Sequence, residues 1–181
     1  IVDTAKTLGY QVLISNTDEN LEVERNAVQT LIEKQVDGLI VVPSSPVVHD
    51  HLTPKALNQK PLVLIDRRVD ALRVTSVTTD DFIGAVEAVR NAISLGHERF
   101  GFLIATETVK GRHYERPATL ISTVAERADG FMNGAIDGGI KPKNMHWIYL
   151  NDDQHVAELA VVEMLDRPKP PSVIFLSLIH I

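Results

Sequence analysis

The sequence predicts an α/β protein in which helices alternate with the strands of parallel sheets. The main observation is that short aliphatic or β-branched runs alternate with longer stretches that carry apolar residues at helical spacing. The run from Val36 to Val42 is almost continuously aliphatic, which is typical of a strand buried on both faces. The run from Leu62 to Ile65 is too short for a helix and lies between polar residues, which indicates another buried strand. Strands and helices in this order imply parallel sheets joined by right-handed crossovers.

The first half of the chain contains two predicted longer helices and one short helix. The first covers residues 1–8 and ends before Gly9. The second begins after Asp18 or Asn20, either of which can cap it, and its apolar positions share one face. The short helix covers Leu52–Leu57. The predicted strands of this half are Tyr10–Ile14, Val36–Val42, Leu62–Ile65 and Val74–Thr79.

The second half contains three predicted helices. Asp80 is the expected N-cap of the first, which ends at Gly96. Thr123 and Glu126 have the spacing of a capping box and are expected to begin the second. The third covers 153–165 and begins at an aspartate cap. The predicted strands of this half are Arg99–Thr106, Trp147–Leu150 and Ser172–Phe175.

A polar stretch from Glu107 to Ile121 interrupts the second half. It contains the breakers Gly111 and Pro117 and a short basic run with one tyrosine. This composition fits a mobile loop better than an RNA-binding site, which needs more aromatic and basic side chains. A lid over a ligand and a contact with a neighbouring molecule both remain open for it.

The composition is that of a globular protein with enough apolar material for a core. The 181 residues carry a formal net charge of -6 and are 44% hydrophobic. The acidic balance argues against this segment binding a nucleic-acid backbone itself, and no apolar run is long enough to cross a membrane. The lack of cysteine excludes disulfides and thiolate metal sites and fits a reducing compartment. The chain does not begin with methionine or a signal peptide.

Charged residues follow the strand at Leu62–Ile65 directly. Asp66 and Arg67 lie where its carboxyl end is expected, and ligands of open α/β sheets bind just outside such ends. A carboxylate accepts hydrogen bonds and a guanidinium donates them in a fixed fork, so the pair suits a polyhydroxylated or anionic small molecule. The alternative is a surface ion pair. Arg68 is expected to be solvated.

Metal and enzyme chemistry have little support in the sequence. His49 and His51 are two residues apart without a third ligand at a supporting spacing, so solvated loop histidines are expected rather than a metal site. The sequence has no glycine-rich phosphate loop and no Gly-x-Ser-x-Gly nucleophile motif. We therefore expect no catalytic residues, no metal and no cofactor.

Five blocks of the sequence carry a resemblance to a known family. In chain order they are AKTLGYQVLISNTDEN, KQVDGLIVVPSS, PLVLIDRRVD, SVTTDDFIGAVEAVRNAISLGHERFGFL and AERADGFMNGA. They resemble successive segments of the effector-binding domain of LacI-type transcriptional regulators, which shares its fold with periplasmic sugar-binding proteins. The resemblance runs from Ala5 to Phe175, and the stretch LGHERFGFL favours the regulators over their periplasmic relatives.

The resemblance implies two Rossmann-like lobes that close on a small ligand. We expect an N-terminal lobe over 1–79 without its first strand, a C-terminal lobe over 80–175 that is cut short, and a non-native tail over 176–181. A cytoplasmic homodimer is implied, with a sugar or sugar-acid effector and with operator DNA bound through a helix-turn-helix headpiece that this chain lacks. Without the missing central strand, the 181 residues alone are expected to be poorly stable.

The resemblance also implies particular ligand contacts. Asp66 and Arg67 match a pair that contacts sugar hydroxyls in the sugar-binding relatives. Arg127 matches an arginine in the first turn of a helix that faces the cleft; its alternative is a solvated helical arginine. Asp81 lies where the regulators commonly have asparagine, so it is either a fourth ligand contact or a carboxylate that interacts with the helix dipole.

Two other functions remain open at this point. A periplasmic sugar-binding receptor of a transporter has the same fold, and a signal peptide upstream of the chain would indicate it. An enzyme on a similar scaffold would convert the bound carbohydrate rather than release it unchanged.

Overall fold

The computed structural model describes residues 1–106, 108–151 and 153–177, which form two separate sheets with helices between their strands. The first sheet is parallel and contains β1 (Leu39–Val41), β2 (Leu62–Ile65) and β3 (Thr75–Val77) in that order. The second has the order β5-β6-β4-β7; it contains β4 (Phe100–Ala105), β5 (Arg112–His113), β6 (Met145–Leu150) and β7 (Val173–Ser177). Only β5 in this sheet is antiparallel. The α/β prediction with mainly parallel sheets is confirmed.

Within the described residues, five α-helices accompany the strands: α1 (Val2–Thr7), α2 (Leu21–Glu33), α3 (Asp81–Ser94), α4 (Ser122–Asp137) and α5 (Gln154–Leu165). Three begin at predicted caps, because the side chains of Asn20, Asp80 and Asp153 accept hydrogen bonds from backbone N–H groups of the first turn. The predicted capping box of α4 is wrong. Thr123 is buried inside the helix, and Glu126 pairs with an arginine outside it. None of the helices in the described ranges combines the length and hydrophobicity that crossing a membrane requires.

Three predictions for the first half need correction. Tyr10–Ile14 is not a strand, because a cavity lies between it and β1 and no ladder forms; Ile14 is 80% exposed. The strand predicted at Val36–Val42 is shorter, and its Ile40 is 53% exposed rather than buried on both faces. Instead of a helix at Leu52–Leu57, a 3₁₀ turn covers Asp50–Leu52 and is followed by turns.

Two strands of the second half were not predicted correctly. β5 lies inside the polar stretch and pairs with β6. Its two polar residues have no apolar alternation that would indicate a strand from the sequence. β7 continues through Ser177, whose neighbour Leu176 pairs with Leu103 of β4, so the predicted tail begins inside a strand. Residues 178–181 lie outside the described residues.

The two sheets have separate cores. Leu64 and Leu52 are fully buried between α2 and the first sheet. In the second sheet, Phe100 and Phe102 are fully buried beneath α3 and α4. Phe102 stacks on Trp147 with ring centroids 4.1 Å apart, so aromatic packing joins β4 to β6.

Glycines let α3 and α4 approach each other closely. Gly130 and Gly134 of α4 and Gly138 directly after it recur every four residues and lie on the side that meets α3. A Cβ atom at Gly130 would lie 2.7 Å from the Cβ of Ala85 and closer still to the carbonyl oxygen of Phe82. This close contact fixes the position of the α4 N-terminal half relative to the start of α3.

Candidate functional site

The predicted pair Asp66–Arg67 lies at the carboxyl end of β2 in a tight turn. Asp66 has φ of 65°, and the backbone N–H of Arg67 donates to the carbonyl of Ile65 at 2.7 Å. The Asp66 N–H donates to the Val77 carbonyl at 3.0 Å, which continues the pairing with β3. This turn directs the two side chains differently: Asp66 is half exposed, whereas Arg67 is only 4% exposed.

A third residue, Glu19, engages Arg67. Both terminal nitrogens of the guanidinium donate to the Glu19 carboxylate, one of them at 2.9 Å, and Nη1 also donates to the Pro43 carbonyl at 3.0 Å. The Nε atom lies 3.5 Å from an Asp66 oxygen, yet the geometry is not that of a hydrogen bond and the atom is buried without an acceptor. Sequence reasoning missed Glu19, because no local pattern links residues 48 positions apart.

The other predicted residues, Asp81 and Arg127, form a second pair. Arg127 Nε donates to Asp81 Oδ1 at 2.6 Å, and the hydroxyl of Thr79 donates to the other carboxylate oxygen at 2.9 Å. The Asp81 side chain is almost buried and that of Arg127 is about one-third exposed. Since α4 begins at Ser122, Arg127 lies in the second turn of the helix and not, as expected, in the first. Asp81 lies in the first turn of α3, so its carboxylate also has a favourable position relative to the helix dipole.

Arg68 joins the two sheets, contrary to the expectation that it is simply solvated. Its backbone N–H donates to Ser122 Oγ at 2.9 Å, and its guanidinium pairs with Glu126 and, at 3.2 Å, with Asp70. The hydrogen bond to Glu126 raises the pKa of the Arg68 guanidinium above its ordinary value. The turn after β2 is thereby held against the N-terminal half of α4. We call this region, defined by residues 66–70, Ser122, Glu126 and Arg127, the junction.

Two cavities lie near the junction. A depression of about 480 Å³ lies directly on it; it is lined by Arg68, Thr78, Thr79, Asp80, Phe82 and Glu126. A larger cavity of about 1480 Å³ lies beside the N-terminal segment and reaches Glu19, Ser44 and Thr106, the last two just beyond the carboxyl ends of β1 and β4. Neither cavity is lined by Asp66, Arg67, Asp81 or Arg127.

The structure therefore forms two pairs from the four predicted ligand residues. Within the described part of the chain, no hydrogen bond or ion pair joins Asp66 or Arg67 to Asp81 or Arg127. The pairs are linked indirectly through Arg68, whose partner Glu126 precedes Arg127 in α4. Ligand contact by the four residues stays a prediction.

A buried polar network lies beyond the end of β1. The Glu24 carboxylate, 2% exposed, accepts hydrogen bonds from the backbone N–H and the hydroxyl of Ser44, the former at 2.6 Å. Its other oxygen lies 2.6 Å from His51 Nε2. The expectation that His51 is a solvated loop histidine is thus wrong, because the imidazole is buried against a carboxylate. Among the described residues, no three groups of His, Asp or Glu converge as a metal site would require.

Hydrogen bonds and ion pairs join the polar stretch after β4 to α4 and α5. Arg112 and Tyr114 both donate to Glu163 of α5, at 2.8 and 3.0 Å, and Arg116 pairs with Asp129 of α4. The hydrogen bond to Glu163 raises the pKa of the Tyr114 hydroxyl. These contacts hold the segment along the helices; its roles as a lid or as a contact with a neighbour remain untested, and Glu107 lies outside the described residues.

Comparisons with known proteins identify the family. The family model described as periplasmic binding proteins and sugar binding domain of LacI family matches residues 1–177. The catabolite control protein A of Priestia megaterium is 26% identical over 176 residues, which is 97% of this chain and 49% of that protein. The chain thus spans about half the length of the curated relatives it matches.

Solved structures give the same result for the fold. A structure from Burkholderia thailandensis assigned as a ribose operon repressor is 27% identical, with a TM-score of 0.74 over 97% of this chain and 60% of that one. The Cra regulator of Pseudomonas putida, solved with fructose 1-phosphate, is 21% identical with a TM-score of 0.77 over the same shares.

These relatives are transcription regulators rather than enzymes, and they do not favour the transporter-receptor alternative. The predicted resemblance is confirmed: the chain belongs to the family of periplasmic binding proteins and LacI-type sugar-binding domains, and within it to the effector-binding domains of LacI-type transcriptional regulators.

Proposed function

We propose that this chain senses a carbohydrate effector and that the effector binds where the turn after β2 faces α4. The observation that carries the proposal is the junction, where charged side chains from the first sheet and from α4 meet around Arg68. Carboxylates and guanidiniums at strand ends and helix starts suit the alternating donors and acceptors of sugar hydroxyls. Asp66 and Arg67 contribute from one lobe (residues 1–79) and Asp81 and Arg127 from the other (80–175).

The proposed mechanism is a population shift between two arrangements of the lobes. The Arg68 contacts to Ser122 and Glu126 cross from one lobe to the other and are solvent-accessible. An effector that binds better when the lobes are closed increases the closed population, by as much as its difference in affinity allows. A coupling of about 1–3 kcal/mol between effector and DNA affinity is typical of such switches.

The proposed partners follow from the regulators in the family. We propose a homodimer that binds operator DNA through a helix-turn-helix headpiece located elsewhere in the full protein and that acts in the cytoplasm. The 181 residues have a formal net charge of -6, so a separate basic element must supply the phosphate contacts.

The test is calorimetric titration of neutral and acidic sugars into the chain together with its natural flanking sequence. We expect saturable binding of at least one carbohydrate, and its loss in Arg127→Ala. Arg90→Ala is the control, because Arg90 is an exposed arginine of α3 that takes no part in the ion pairs of the junction. The ligand should be recovered unchanged, since turnover would indicate an enzyme. Equal binding by the Arg127 and Arg90 variants would refute the assignment.

A further inference from the structure

We infer that Glu19 determines the charge class of the effector and that the effector is an uncharged polyhydroxylated molecule rather than a sugar acid or sugar phosphate. The inference rests on the proposed function, because it concerns the ligand of the same site. It goes further by assigning a role to Glu19, which is not among the four predicted ligand residues.

The guanidinium of Arg67 is already occupied by protein acceptors. An arginine that recognises a carboxylate or phosphate presents its two terminal nitrogens as a fork. In Arg67 both terminal nitrogens donate to the Glu19 carboxylate, and one also donates to Pro43. Glu19 therefore stands where the charged group of an anionic ligand would bind. Glu19 itself lines the larger cavity and retains partial exposure, so it can accept hydrogen bonds from a ligand.

The junction taken together with its partners Glu19 and Asp81 carries a formal excess of negative charge. Three guanidiniums, those of Arg67, Arg68 and Arg127, contact five carboxylates, which leaves two negative charges at neutral pH. The carboxylates in these contacts are Glu19, Asp66, Asp70, Asp81 and Glu126. An anionic ligand would meet this net negative charge in a partly buried place, where charges are screened less than in water.

The Asp66 carboxylate offers acceptor oxygens that no donor among the described residues occupies with a hydrogen bond. This carboxylate is half exposed, and its 3.5 Å contact with Arg67 Nε is an ion-pair contact without hydrogen-bond geometry. Carboxylate oxygens accept and cannot donate, so they recognise hydroxyl groups of the ligand and repel its carboxylates or phosphates. A neutral polyol supplies the donors that this surface requires.

The similarity to the Cra structure with fructose 1-phosphate does not decide the charge class. At 21% identity that likeness concerns the fold, whereas the charge of the ligand depends on individual side chains such as Glu19. The fold therefore permits either class, and the occupied guanidinium of Arg67 together with the excess of carboxylates favours the uncharged one.

The experiment titrates matched pairs of probes into the chain with its natural flanking sequence. The probes are ribose and glucose, ribose 5-phosphate and glucose 6-phosphate, and gluconate and glucuronate. The unchanged protein should bind a neutral sugar at least about tenfold more tightly than its anionic counterpart. In Glu19→Gln, which keeps an acceptor but removes the charge, this ratio should fall by at least about tenfold. Glu22→Gln removes the same charge from an exposed neighbour that does not contact Arg67, and the ratio should stay within about twofold.

Tighter binding of a phosphate or acid by the unchanged protein would overturn the inference and leave the proposed function intact. The inference is also overturned, with the proposed function intact, if Glu19→Gln and Glu22→Gln show the same ratio of neutral to anionic affinity. If no carbohydrate of either class binds, the proposed function fails and the inference with it. The preference of the unchanged protein is a test in its own right, so the inference remains testable even if a variant fails to fold.

Discussion

Replacing Gly130 by alanine probes the contact that positions Arg127 against Asp81. Gly130 lies three residues after Arg127 in α4 and faces Phe82, the neighbour of Asp81 in α3. An added Cβ would overlap the Phe82 carbonyl oxygen and lie 2.7 Å from the Ala85 Cβ, closer than real Cβ atoms approach. Because one of these atoms belongs to the backbone, the helices must separate where the two charged residues meet.

The expected cost combines two opposing effects. Overpacking costs about 1–3 kcal/mol, and a backbone clash favours the upper part of that range. Alanine is favoured over glycine in a helix by about 1 kcal/mol, which offsets part of the loss. The net result is a destabilisation of about 1–2 kcal/mol in the free energy of unfolding.

Gly84→Ala is the matched control. Gly84 lies in α3, and a Cβ there would meet nothing within 4 Å, so only the gain in helix propensity remains. We expect Gly84→Ala to stabilise the protein by about 0.5–1 kcal/mol. Urea unfolding followed by circular dichroism measures both variants. Two changes of the same sign and size would contradict the close approach of α3 and α4.

Three further predictions concern other parts of the structure. Glu24→Ala should cost on the order of 3 kcal/mol or more in denaturant unfolding, because three buried donor groups, two of Ser44 and one of His51, lose their acceptor at about 1–3 kcal/mol each. Exposed Glu22→Ala should cost less than about 0.5 kcal/mol, and equal losses would refute the buried network. Arg67→Ala should lower the free energy of unfolding by about 1.5–3 kcal/mol, because it leaves the Glu19 carboxylate without its partner. An unchanged melting temperature would contradict the ion pair. Burial lowers the pKa of His146 below 6.5, so protonation favours the unfolded chain and stability should fall as the pH drops below 6.5. His146→Gln should make the free energy of unfolding less dependent on pH in this range, and an unaltered dependence would rule out this contribution.

The prediction for Arg67 revises one that the sequence alone suggests. From the sequence alone, replacing Arg67 or Arg127 by alanine is expected to abolish binding of a sugar or sugar acid and to leave the melting temperature nearly unchanged. In the structure Arg67 is buried and holds Glu19 and Pro43, so it contributes to folding as well. A sequence does not show this, because the partner lies 48 residues away and its position depends on the packing of the two segments.

Local signals predicted the elements that depend on local physics. The caps at Asn20, Asp80 and Asp153 and the strand at Leu62–Ile65 all follow from side chains within a few residues. Tyr10–Ile14 has the composition of a strand but no ladder partner in the described part of the chain, which shows that strand formation depends on a neighbour.

The spacing of the glycines in and after α4 is visible in the sequence and predicts a close neighbour. Gly130, Gly134 and Gly138 recur at a spacing of four, which places them on one face of a helix and indicates a close neighbour. By contrast, the two residues of β5 carry no pattern, and their pairing with β6 follows only from the hydrogen bonds of the folded chain.

The most direct test of the proposed site is a crystal structure of the full protein with a carbohydrate found by titration. We predict that the bound molecule lies between the turn after β2 and α4, with its hydroxyl groups within hydrogen-bonding distance of the Asp66 carboxylate and the Arg127 guanidinium. A carbohydrate bound elsewhere, with Asp66 and Arg127 in contact only with solvent and protein, would contradict the assignment.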